Sequence, residues 1–233
     1  MHVPSEKDYV TNIAFDSVIF GFSGESLKIL IMHYHDTGLF ALPGGLVKRE
    51  ENLSDAVKRA VRERTGIHNI YLEQFHTFGS LDRSDPASMK AILEANGYKP
   101  DESYWMLDRF FSIAYYALIN YTEVDPKTDF LSDAIDWYDM DNLPPMMQDH
   151  QKIVDMALQY LRDNLEKKLV GINLLPELFT MKELQMVYEA ILGEKLRRSA
   201  FQRKLLSLDV LERHEKRYSG EAHKAPYLYS FKK

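Results

Sequence analysis

The rhythm of apolar and polar positions along this chain changes several times, and each change marks an element. From 10 to 22 and again from 27 to 33, Ile, Phe and Val dominate, with Ser-Gly-Glu-Ser between the runs; a β-hairpin is predicted. A short strand at 39–42 meets Pro43-Gly44-Gly45, a turn signal. The period then becomes helical. Leu53, Ala56, Val57, Ala60 and Val61 fall at i, i+3, i+4, i+7 and i+8, one buried stripe. Asn52, with Asp55 three residues on, stands where a cap belongs, and Gly66 stops the helix. Residues 70–78 and 110–119 return to a strand pattern, and the polar stretch 80–107 between them reads as an excursion with a short helix at 87–95. Residues 133–138 suit an edge strand, and Pro144-Pro145 breaks the chain before a helix from about 148 to 168. Strands with a few helices argue for a layered α+β domain.

After residue 170 the pattern describes a second, compact unit. Thr180 and Glu183 form a capping box, with Phe179 and Leu184 as its hydrophobic staple. Leu184, Val187, Tyr188, Ile191 and Leu192 make the buried face of the helix, and Gly193 ends it. A second helix is predicted over 199–207, with Phe201, Leu205 and Leu208 pointing inward. Strands at 210–218 and 227–231 flank a polar loop, 219–226. Helix, turn, helix and β-hairpin is the order of a winged helix-turn-helix. The predicted organisation is therefore a domain over 1–170 followed by a winged helix over 171–233.

Composition sharpens this picture in two ways. The absence of cysteine excludes disulfides, thiolate metal sites and thiol nucleophiles. The net charge of −6 is unevenly spread: residues 171–233 carry 12 Lys and Arg against 8 Asp and Glu, and the rest of the chain 17 against 27. A basic end on an acidic protein suggests a polyanionic partner. The first residues are too polar for a signal peptide, and apolar runs such as 113–119 are far too short to span a bilayer. The expectation is a cytoplasmic protein without a membrane partner.

Residues 45–67 closely resemble the Nudix hydrolase signature, G-x5-E-x7-R-E-U-x-E-E-x-G-U, in which U is a bulky aliphatic residue. Gly45, Glu51, Arg59, Val61, Glu63, Gly66 and Ile67 match. In active members the resemblance implies glutamates at positions 60, 63 and 64, on neighbouring points of one helix face, holding divalent metal beside a diphosphate. Here those positions are Ala60, Glu63 and Arg64. The metal site, and with it metal-assisted hydrolysis, is expected to be lost; no catalytic residue, metal or cofactor is assigned. Arg59 and Glu63 form either an ordinary i,i+4 surface pair or a retained support for the loop.

The exposed side of the second C-terminal helix would show Arg197, Arg198, Ser199, Gln202, Arg203 and Lys204, types that contact phosphates and base edges in a major groove. Lys216, Arg217, His223 and Lys224, on and beside the hairpin loop, suit a wing lying against the DNA backbone or reaching into the minor groove. The plain alternative is a small helical cap with solvated charges.

The whole chain resembles the Nudix-related transcriptional regulators, in which a Nudix-like α/β/α sandwich precedes a winged helix. The family includes NAD-metabolism repressors responding to ADP-ribose and sugar-responsive relatives such as the arabinose regulators. The resemblance rests on residues 41–45, 72–79, 112–119, 174–180 and 184–191. It implies double-stranded operator DNA with an inverted repeat, a homodimer, and a small-molecule effector. Asp82 and Arg83 are candidates to hold that effector through hydroxyls or phosphate, and Phe40, Tyr104 and Trp105 to stack on its ring; loop salt bridges and core aromatics are the alternative. In relatives a D-R-D-P segment leads directly into the next strand, whereas here an insertion follows through about residue 107. That interruption tilts the expectation toward a pentose regulator, with an ADP-ribose-responsive regulator, or a hydrolase with an unusual metal site, as alternatives.

Overall fold

The computed structural model describes residues 5–67, 70–121, 124–129, 131–165, 167, 174–217 and 225–232. Its first seven strands are β1 (Tyr9–Phe22), β2 (Leu27–Tyr34), β3 (Leu39–Ala41), β4 (Gly44–Lys48), β5 (Tyr71–Phe78), β6 (Phe111–Ile119) and β7 (Ser132–Asp139). All belong to one sheet ordered β3-β2-β1-β6-β5, with β4 paired to β1 and β7 to β2. The predicted hairpin is present, and β1 also runs parallel to β6 in unbroken register from Ile13↔Phe111 to Gly21↔Ile119. Strand alternation then assigns the two faces. Phe15, Ile19, Tyr115, Ala117 and Ile119 pack toward helix α1 (Leu53–Thr65); Val18, Phe20, Phe22, Tyr116 and Leu118 pack toward helix α3 (His150–Asn164). The result is the expected α/β/α sandwich.

Local details depart from the sequence expectation where packing overrides turn chemistry. Gly44 and Gly45 lie in β4 rather than in a turn, and they are needed for close approach. A Cβ on Gly44 would meet Asp16 Oδ1 and the Phe15 carbonyl oxygen at 2.7 Å, and one on Gly45 would meet Phe15 Cζ at 2.7 Å. Asn52 does occupy the N-cap of α1, but its side chain bonds Asp55 Oδ2 at 2.9 Å instead of a backbone N–H. Gly66 closes the helix in the left-handed conformation, φ 75°. The insertion is ordered as helix α2 (Pro86–Ala95), capped by Asp85, and a short 3-10 turn at Trp105–Leu107.

In the C-terminal unit, β8 (Phe179–Thr180) leads into α4 (Met181–Leu192), then α5 (Arg198–Ser207), β9 (Leu211–Lys216) and β10 (Tyr227–Phe231), with the three strands ordered β8-β10-β9. The capping box is complete: Thr180 Oγ1 accepts from Glu183 N, and Glu183 Oε2 accepts from Thr180 N. Phe201 and Leu205 are buried as predicted, but Leu208 is 44 % exposed because the chain has already left α5. The predicted boundary at 170/171 and the tip of the hairpin, 218–224, lie outside the described residues.

The two units share one apolar core. Ile153, Val154, Ala157, Leu161 and Leu165 of α3 and the turn after it belong to the same cluster as Leu184, Val187, Tyr188 and Ile191 of α4. Truncating the fully buried Leu161 to Ala should cost about 2–5 kcal/mol. Because the core is continuous, denaturation followed by far-UV dichroism should remain one transition shifted to lower urea; two separated transitions, only one of them displaced, would refute the shared core.

Candidate functional site

Arg59 of α1 is the first constraint on the site. Its Nε donates to Glu51 Oε1 at 2.8 Å and its Nη2 to Glu51 Oε2 at 2.9 Å, and Nη2 also reaches the Leu46 carbonyl at 3.3 Å. Its contact with Glu63 is longer, 3.4 Å. Arg59 is therefore a staple across the loop from Gly45 to Glu51, and the surface-pair alternative describes only its weakest bond. These hydrogen bonds hold the Glu51 carboxyl below its usual range and the guanidinium above it.

Around that staple lies a cavity of about 430 Å³, lined by β1, β2, β4, the inner face of α1, the insertion and the turn before α3. One end carries a buried polar network. Arg83 donates to both carboxylate oxygens of Asp149, at 3.1 and 3.2 Å, and to the Phe110 carbonyl at 2.7 Å. Asp16 accepts from Ser112 Oγ at 2.5 Å and lies 3.6 Å from Arg83. His150 Nδ1 accepts the Leu42 N–H at 3.0 Å, which leaves its proton on Nε2, 3.8 Å from Asp16. At the opposite wall Arg64, only 7 % exposed, pairs with Asp129, whose other oxygen accepts from Leu131 N, Ser132 N and Ser132 Oγ. Burial, and then the carboxylates of Asp129 and Asp16, push the Tyr34 phenol well above its normal range, so it stays a hydroxyl. Met89, Met106 and Met147 supply an adaptable apolar lining.

These residues do not fit a divalent metal at the former hydrolase position. Both oxygens of Glu51 are taken by Arg59, Ala60 offers no ligand, and Arg64 sits as a cation in an ion pair. Among the described residues, no group of three or more acids or histidines is arranged to hold a metal ion.

Of the effector candidates read from sequence, Arg83 lines the cavity. Phe40 instead stacks on His33, ring centres 4.8 Å apart; Asp82 is exposed and lies 3.7 Å from Lys152. Trp105 is buried behind the wall, with Tyr104 against it at 6.4 Å. Asp16, Tyr34, Asp129, Asp149 and His150 escaped the sequence reading. Asp16 had a signal: a lone carboxylate in the core-facing rhythm of an apolar strand.

The DNA candidates divide similarly. Arg197, Arg198, Ser199, Arg203 and Lys204 are exposed on α5, and Gln202 is half-buried. Glu189 fixes the turn that carries this helix, accepting from Lys195 Nζ, Gln185 Nε2 and Leu196 N at 2.8–3.0 Å. These partners, Lys195 foremost, hold its carboxyl down at about 2. Lys216 and Arg217 have partners within the protein: Lys216 lies over the Tyr227 ring at 5.2 Å, and Arg217 bonds the capping residue Glu183 at 2.8 Å. His223 and Lys224 fall outside the described residues.

Replacing Arg59 with Ala should cost about 1–3 kcal/mol, since two charge-assisted bonds are lost. The Glu51 carboxyl is depressed in the fold, so its contribution is present above its unfolded value and is lost as pH falls through the folded one. Urea midpoints should therefore separate wild type from Arg59→Ala at pH 7 and converge toward pH 3; a gap that does not depend on pH would show that the pair is not the source.

Comparison with known proteins covers both units. Residues 10–157 match the NUDIX domain family and residues 171–231 the NrtR DNA-binding winged helix domain. The chain is 30% identical to the ADPR responsive transcriptional repressor NtrR of Acinetobacter baylyi over 97% of its own length and 84% of that protein's. Its fold is that of Shewanella oneidensis NrtR, with a TM-score of 0.72 at 24% identity, covering 95% of this chain and 94% of that one. A MutT/nudix family protein from Enterococcus faecalis superposes with a TM-score of 0.69 at 20% identity, covering 96% and 89%. The chain belongs to the NrtR family, a Nudix domain joined to a C-terminal winged helix.

Proposed function

We propose that this protein is a transcriptional repressor that binds double-stranded operator DNA through α5 and responds to ADP-ribose bound in the cavity. The carrying observation is the reach of the likeness to the Acinetobacter repressor, which is ADPR responsive by name and spans cavity and winged helix together. The pentose expectation loses its support. It rested on the insertion as an interruption of the nucleotide motif, yet the insertion folds and forms a wall of the cavity through Met89, Met106 and Leu107. A volume near 430 Å³ falls in the small-molecule range of about 300–1,000 Å³.

We read the Nudix domain as a sensor rather than a hydrolase, in line with Ala60 and with the ion-paired Arg64. Helix α3 is the natural coupling element. Its N-terminal Asp149 and His150 belong to the cavity network; at its far end Arg162 Nε donates to the Ile191 carbonyl of α4 at 2.7 Å. Effector binding shifts α3, and so the spacing of two winged helices in a homodimer on an inverted repeat.

Anisotropy titrations of the full chain on DNA from upstream of its gene should show specific binding, reversed by ADP-ribose and indifferent to arabinose and xylose. Arg198→Ala and Arg203→Ala should each weaken binding roughly tenfold and reduce the salt slope by about one. No specific DNA binding, together with Mg²⁺-dependent cleavage of ADP-ribose to AMP and ribose 5-phosphate, would make the chain a hydrolase. Sedimentation should give a dimer; a monomer both free and on DNA would remove the paired half-sites. In Arg162→Ala, both ligands should still bind, but ADP-ribose should no longer release DNA; unchanged release would exclude α3 as the coupling element.

A further inference from the structure

Arg64 stands where a hydrolase would carry a metal-binding glutamate, and it is not simply a neutralised structural arginine. The residue is 7 % exposed and lines the cavity. A guanidinium has five N–H donors. Among the described residues only Nη2 has a partner, Asp129, and Nε is buried without an acceptor. Asp129 is anchored by three further donors from Leu131 and Ser132, so the ion pair fixes the plane and position of the guanidinium without using its remaining donors. Nε itself is closed off, so the donors that the cavity can reach are those of the terminal guanidinium nitrogens.

We propose that Arg64 takes the part of the absent divalent cation and makes a metal-free site for the diphosphate of the effector. A guanidinium matches phosphate oxygens through planar, paired N–H groups and keeps its charge at every working pH. The cavity's other charges leave this position to it. Glu63, the remaining acid of the former metal face, leans on Arg59. Asp16 is held at the far network by Ser112 and Arg83, and Arg83 is itself clamped by Asp149. Lys48, on β4, lines the same cavity and adds positive charge. The exchange of Glu for Arg thus puts a cation at position 64, where the signature would recruit Mg²⁺, and that cation can meet the anion directly. This inference rests on the proposed effector only for the identity of the whole ligand; the diphosphate site is testable by itself.

The test is calorimetric titration of the full chain with ADP-ribose, inorganic pyrophosphate and adenosine, each in EDTA and in excess Mg²⁺. ADP-ribose and pyrophosphate should bind equally well without metal. Arg64→Gln should weaken both at least tenfold and leave adenosine unchanged. Because that variant strands Asp129, the double variant Arg64→Gln/Asp129→Asn is measured beside it; unchanged melting and effector-free DNA affinity would show that it folds, and the same tenfold loss is expected. ADP-ribose binding that needs Mg²⁺, or that ignores Arg64 in both variants, overturns the inference and spares the proposed effector. Metal-free, Arg64-dependent pyrophosphate binding without any response to ADP-ribose upholds the inference and removes that effector. If neither anion binds, both fall.

Discussion

Helix α3 carries two obligations at once, and the arrangement of this molecule follows from them. Its buried stripe must cover one face of the sheet, and the same apolar cluster must continue into α4 of the winged helix. An amphipathic helix usually satisfies one partner and turns its other side to water. Here the polar groups at its two ends are also committed. Asp149 and His150 belong to the cavity network, and Arg162 reaches a backbone carbonyl at the end of α4. Over the twelve residues from His150 to Arg162 a helix rises about 18 Å. One helix thus joins the cavity network at its first turn to α4 of the winged helix at its last.

The cavity end of that arrangement is unusual in how much charge it buries. Asp16, Arg83, Asp149 and His150 are each less than 9 % exposed. Such groups are tolerated only when paired and hydrogen-bonded, and removing one member leaves an uncompensated charge. The network is correspondingly closed: Arg83 bridges the acid on β1 to the acid before α3, and His150 faces the same carboxylate from the other side. Gln148, just before α3, adopts φ 50°, a conformation disfavoured for a residue with a Cβ, and it lines the cavity. Strain and buried charge meet at the point where the cavity touches the start of α3.

Much of this was legible in the sequence, for reasons that differ by element. The stripe of α1, the capping box at Thr180 and the Gly66 and Gly193 stops are local patterns, and local physics decides them. Leu208 was misjudged because helical periodicity continues past the residue where the helix ends. Gly44 and Gly45 look like turn residues in the sequence, while their necessity comes from Phe15 and Asp16, nearly thirty residues away. The same blindness hid the cavity: Asp16, Asp129 and His150 meet only after β1, the segment before β7 and α3 are brought together. The winged-helix candidates on α5 depended only on one helix's own periodicity, whereas Lys216 and Arg217 turned out to face Tyr227 and Glu183 across the unit.

The Nudix signature here separates into parts with different physical work. Gly45 lets β4 lie against Phe15, Gly66 ends the helix, and Arg59 ties Glu51 and Leu46 to α1; none of this involves metal, and all of it is intact. Ala60 and Arg64, at the positions where the signature has carboxylates, make no side-chain bond to that loop among the described residues; Arg59 ties it. With Ala at one of these positions and an arginine held on Asp129 at the other, the loop and the cavity wall are both in place. The scaffold of the signature and its metal-ligand positions are thus carried by different residues, and the charge at one wall of the cavity can change while the wall stays in place.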